Sequence, residues 1–195
     1  MHFKKCLPLL LAGGLALPAL AQSAQQDVQR DIKQQTRIES GLQSGALSTR
    51  EAARLEKEQS RIDRTESAAL RDGKLSDAER ARIDRMQDRA SSDIRAAKSN
   101  DVTGNPQSAS SQRMQADVAR NINQEQRIKN GLQDGSLTRK EASRLEKGEA
   151  RISHREAAAG RDGHVGAREQ AHIQTTENRV SGRIHQQRHD GQHRN

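Results

Sequence analysis

Large apolar side chains are sparse in this chain, and where they occur they keep helical spacing. Positions 52, 55, 59, 62, 66 and 69 follow one another at alternating three- and four-residue steps, which is one stripe of an α-helix. Ala52, Leu55, Ile62 and Ala69 are apolar, whereas Gln59 and Glu66 are not. The stripe is therefore thin, and Arg, Glu and Lys fill the other faces. Breaks in the pattern come 28 residues apart. Gly45, Leu47, Glu51 and Leu55 recur as Gly73, Leu75, Glu79 and Ile83. The same spacing returns as Gly135, Leu137, Glu141 and Leu145, then as Gly163, Val165, Glu169 and Ile173.

The larger period is ninety residues. Residues 27–100 match residues 117–190 at 32 of 74 positions, the signature of an internal duplication. Between the copies, residues 99–112 (SNDVTGNPQSASSQ) are polar and hold Gly104 and Pro106, as a flexible linker would. The pattern predicts an all-α chain of two tandem repeats of an up-down-up three-helix unit, with an elongated shape allowed. The units are expected over 22–98 and 113–195. After position 21, Leu, Ile and Val together number only 23 of 174 residues. Such units are expected to have marginal cores, with long, partly mobile helices or an association between chains (a homo-oligomer) that buries the seam.

Each turn is legible in its letters. Gly45, Gly73, Gly135 and Gly163 stand where a helix ends in a left-handed residue. Ser48, Ser76 and Thr138 are expected N-caps, and Glu51, Glu79 and Glu141 complete capping boxes three residues later. The stretch RDGKLSDAERARI (71–83) also resembles the second half of an EF-hand loop, and the four turns together resemble degenerate EF-hand-like helix-turn-helix repeats. With Gly73 at loop position 6, Asp72, Ser76 and Glu79 fall at ligand positions, while Ala68 and Leu70 occupy positions 1 and 3 and carry no side-chain oxygen. The resemblance implies weak calcium binding with Asp72, Ser76, Glu79, Asn130, Asp134, Thr138 and Glu141 as candidate ligands; the cap-and-turn reading accounts for every letter without it. LSTREA and LTRKEA are similar to the L-T-x-x-Q signature of small periplasmic helical stress proteins, with Glu where that signature has Gln. That resemblance implies cradling of unfolded clients in the envelope, or metal sensing.

Composition adds a compartment. His2 to Lys5 is a basic start, Cys6 to Leu20 an apolar run, and Ala19-Leu20-Ala21 a cleavage signal, so residues 1–21 are expected to be a signal peptide. The mature chain would start near Gln22, be periplasmic or secreted, and carry no membrane span. Removing the peptide removes the only Cys and the only Phe, leaving no disulfide framework and no aromatic stacking platform. With interleaved acids and expected export, nucleic acid is not an expected partner. Basic excess is concentrated in the second copy, with 16 Lys/Arg and 11 Asp/Glu over 112–195 against 16 and 15 over 22–111. That favours anionic envelope polymers as partners. No nucleophile elbow, phosphate loop or Cys nucleophile is present, and the chain is read as a non-enzyme.

The copies differ most in histidine. His154, His164, His172, His185, His189 and His193 all belong to the second copy. His185, His189 and His193 keep i, i+4, i+8 spacing, and His154 and His172 lie nine residues to either side of Gly163. Imidazoles so placed suit Zn, Cu or Ni, and divalent-metal binding by the second unit is the leading functional expectation. A solvated basic face and pH sensing are the alternatives, since the first copy has Arg64, Lys74, Arg82 and Arg95 at four of these positions. The second copy has also exchanged Leu70 for Gly160, Met86 for Thr176 and Ser76 for Gly166, which reads as lost core and a lost cap.

Overall fold

The computed structural model describes residues 19–191, with side chains from Ala24 onward. The expected signal peptide falls mostly outside this range, as does His193. The described chain is all-α: α1 (Ala19–Ser44), α2 (Thr49–Ala69), α3 (Asp77–Lys98), α4 (Ala109–Asp134), α5 (Arg139–Ala159) and α6 (Ala167–Arg188), with one turn of 3-10 helix at Gly160–Asp162. None of these helices is long and apolar enough to cross a membrane.

The helix boundaries follow from local chemistry. Gly45, Gly73, Gly135 and Gly163 have φ of 76°, 81°, 80° and 90°, where a Cβ would strain the backbone. Ser48, Ser76 and Thr138 accept from the N–H groups of Glu51, Glu79 and Glu141, whose carboxylates accept in return from the cap N–H groups. At Gly166 only the return bond remains, from its N–H to Glu169 Oε2 at 2.8 Å. Leu47 and Leu137 fold each first turn back over its helix, with their N–H groups donating to Gly41 O and Gly131 O at 2.9 Å. Both leucines are buried.

The expected linker contributes residues 109–112 to α4. Ahead of them, the Gly104 N–H donates to Gly45 O at 2.8 Å, and Asn100 Nδ2 donates to Glu51 Oε1. This segment is thereby pinned to the α1–α2 turn.

Contacts between the copies dominate the fold. The most extensive helix contacts are α2 with α5 and α1 with α4. α2 and α5 run antiparallel: Ser60 Oγ donates to Ala150 O at 2.8 Å, and Ser143 Oγ donates to Ser67 O at 2.6 Å. α1 and α4 do likewise, with Lys129 Nζ on Gln29 Oε1 and Gln115 Nε2 on Leu42 O. Ser60 and Ala150 are equivalent positions ninety residues apart, so an approximate two-fold axis relating the copies passes between them. α3 and α6 flank this four-helix centre, each packed on the other two helices of its own copy. One continuous apolar core draws on both copies, from Val28, Ile38 and Leu55 to Ile128, Leu145 and Ile173. The thin stripe of α2 is thus completed inside one chain by α5.

Candidate functional site

The polar positions of the stripe are buried rather than solvated. Gln59 is 1 % exposed and Glu66 is 2 % exposed. Twelve of the 26 acidic side chains are buried, and no described Lys or Arg is. Burying an ionised carboxylate without a counter-charge is costly, and the usual response is to hold a proton instead. Burial pushes Asp31 up to about 7, against the Gln87 amide that donates to it. Burial likewise takes Glu56 to about 7, with Gln35 and the neighbouring Glu156 acting against the rise. Glu149 and Glu177 rise to about 8, where burial outweighs the nearby Arg127 and Arg120 respectively. Asp63, Glu66, Glu125, Glu146 and Glu156 are also pushed well up by burial and by the charge of neighbouring acids.

Amides satisfy part of this acidic seam. Gln87 Nε2 lies within 3.0 Å of Glu66 Oε1 and 2.9 Å of Asp31 Oδ1. The second copy exchanges the roles: Asn121 stands in place of Asp31 and donates to both oxygens of Glu156 at 2.9 Å, while Glu177 stands in place of Gln87 and pairs with Arg120 at 2.8 Å. One acid cluster is left without such a donor. Carboxylate oxygens of Asp63, Glu125 and Glu146 all lie within 4.8 Å of one another, and all three residues are buried.

The exterior has the opposite sign. Arg64, Arg151, His154, Arg155, Arg179 and Arg183 line a surface groove between α2, α5 and α6. It adjoins a second depression that shares His154 and is lined by Arg50, Arg54, Lys57 and Arg161. None of the five groove arginines is in an ion pair among the described residues.

Each candidate named from sequence, His193 aside, has a definite place. His154, His164, His172, His185 and His189 are all exposed. His154 lies in the arginine groove, a poor neighbourhood for a cation. His185 and His189 approach each other near the end of α6, with ring centroids 4.3 Å apart, and His189 Nδ1 is 2.7 Å from His185 O. Among the described residues, no histidine joins two further ligating side chains at one point. The seven calcium candidates are engaged locally. Ser76, Glu79, Thr138 and Glu141 bond within their capping boxes, and the Ser76 hydroxyl and N–H hold Glu79 below the usual carboxylate range. Asp72 accepts from Lys74 N–H, Asp134 from Ser136 and Arg188, and Asn130 from Gln126. Glu141 aside, the buried acids form no site pattern in the sequence. The available signal was Gln59 and Glu66 on an otherwise apolar stripe, with Glu149 and Glu156 at the same places ninety residues on.

Family models, curated proteins and solved structures were compared with the chain, and none matches it.

Proposed function

We propose that this is an exported, non-enzymatic protein of two three-helix halves that binds anionic polymers of the cell envelope through the arginine groove. The carrying observation is the row of five unpaired arginines on adjoining helices. Guanidinium groups without carboxylate partners are free to bind carboxylate, sulfate or phosphate groups bidentately. Segregation of charge strengthens the effect, because twelve acids lie in the interior while no described Lys or Arg does, which leaves the exterior strongly basic. A repeating anion would engage several arginines at once, with an affinity that falls as salt rises.

Retention on an immobilised acidic polysaccharide tests this reading. The wild-type chain is expected to elute at clearly higher salt than the triple variant Arg155→Glu, Arg179→Glu, Arg183→Glu. Equal elution would remove the groove from the explanation.

The close approach of His185 and His189 favours a second reading, a two-imidazole site on α6 for Zn, Cu or Ni. Replacing both by Ala should then abolish Zn-dependent stabilisation, while leaving polymer retention unchanged.

A further inference from the structure

The approximate two-fold provides an internal comparison for every buried side chain. Asp63, Glu125 and Glu146 have Ser153, Gln35 and Glu56 as their counterparts ninety residues away. The counterpart set carries fewer acids: Gln35 Nε2 donates to Glu56 Oε2 at 3.1 Å, and Ser153 brings no charge. In the first set the donor amide is replaced by a third carboxylate and the serine by an aspartate. Asp63, Glu125 and Glu146 are 3 %, 4 % and 0 % exposed. One hydrogen bond from Ser153 Oγ to Asp63 Oδ2, at 3.3 Å, reaches the cluster. Both oxygens of Glu146, and Oε2 of Glu125, are buried with no partner.

A further unpartnered acid lies beside the cluster. Glu149 lies nearly one turn beyond Glu146 on α5, is 2 % exposed, and neither of its oxygens has a partner. Its charge acts on Asp63, Glu125 and Glu146 alike, and is the largest single charge acting on Glu125. Three carboxyl groups from three helices thus meet at one point with Glu149 three residues along α5, while the counterpart set holds one carboxyl and an amide donor.

We propose that Asp63, Glu125 and Glu146 bind one hard, oxygen-seeking divalent cation such as Ca2+, with Glu149 as a supporting group, and that the chain holds one such site rather than two. The donor set is all oxygen, which suits Ca2+ and not the nitrogen- and sulfur-preferring Zn or Cu. Bringing α2, α4 and α5 to one ion would tie the two copies together at their shared seam. This inference rests on the interior and is independent of the arginine groove.

Calorimetric titration of the full chain, stripped with EDTA, with CaCl2 at pH 7.5 tests it. One Ca2+ per chain is expected. Glu125→Gln, which installs the residue found at the counterpart position, should weaken binding at least a hundredfold while retaining wild-type helicity by circular dichroism. Asp63→Ser copies the other counterpart residue and serves if Glu125→Gln does not fold. Glu56→Gln, in the counterpart set, should leave the stoichiometry at one and change affinity far less than Glu125→Gln does. The proposal is overturned by a helical wild-type protein that gives no calcium heat, by unchanged affinity in a folded Glu125→Gln or Asp63→Ser variant, or by equal loss in Glu56→Gln.

Discussion

Gly160 shows how far a single residue can mislead when its neighbours are unknown. Beside Leu70 of the first copy it reads as a deleted core side chain. In the structure a Cβ at Gly160 would lie 2.8 Å from Ala53 Cβ and 2.7 Å from Met114 Cε, with Thr49 O at 3.2 Å. The glycine therefore lets the end of α5 meet the start of α2 and the side of α4. Gly160→Leu, although it restores the first copy's residue, is expected to destabilise the protein by about 2–3 kcal/mol through overpacking. Urea unfolding followed by circular dichroism would measure it. Neither the closeness of three helices nor the side from which they come is encoded near residue 160, so that reading was beyond the sequence.

At the scale of the element the sequence is a better guide, because a helix end is decided by residues three or four apart. The turn glycines, the caps Ser48, Ser76 and Thr138, and the weaker start of α6 at Gly166 could each be read from their letters. Ser76→Ala removes the hydroxyl that accepts from Glu79 N–H and donates to Glu79 Oε2. It is expected to cost about 1 kcal/mol, and hydrogen exchange should show the loss as faster opening of the first turn of α3. What the helices do with their faces was less legible. Gln59 and Glu66 made the stripe of α2 look interrupted, since a polar side chain on an apolar face ordinarily marks its edge. Their partners lie far along the chain: Gln34 for Gln59 and Gln87 for Glu66. A periodicity argument confined to one helix cannot supply them. The acidic seam was hidden for the same reason, its members lying on every helix but α3.

For the whole molecule, the buried acids set how stability depends on pH. Asp27 and Asp117 are raised by burial to about 6, Asp31 and Glu56 to about 7, and Glu177 to about 8, from ordinary values of 3.8 for Asp and 4.5 for Glu. Arg80 and Arg30 near Asp27, Arg120 near Asp117 and Glu177, and the amides of Gln87, Gln35 and Gln170 all oppose these rises without cancelling them. The folded state thus binds these protons more tightly than the unfolded chain does. The stability they contribute is fully present below about pH 4 and is lost as pH rises through about 6 to 8. Each pH unit over which one such group is ionised only in the unfolded chain costs about 1.4 kcal/mol. In EDTA, Tm is expected to be higher at pH 5 than at pH 8. A Tm that rises from pH 5 to pH 8 would mean that these groups are ionised in the fold at little cost.

The antiparallel pairing of α2 with α5 across Ser60 and Ala150 also bears on ancestry. Two identical chains related by that axis would be forced to carry the same residue at positions 35 and 125, and at 63 and 153. Whatever one half acquired, charge or amide, the other would acquire as well, and a cluster of three acids would appear twice or not at all. Joining the halves into one polypeptide lifts that constraint. Gln35 opposite Glu125, and Asp63 opposite Ser153, are pairs that two identical chains could not carry, and they let a cluster drawn from both halves exist once rather than twice.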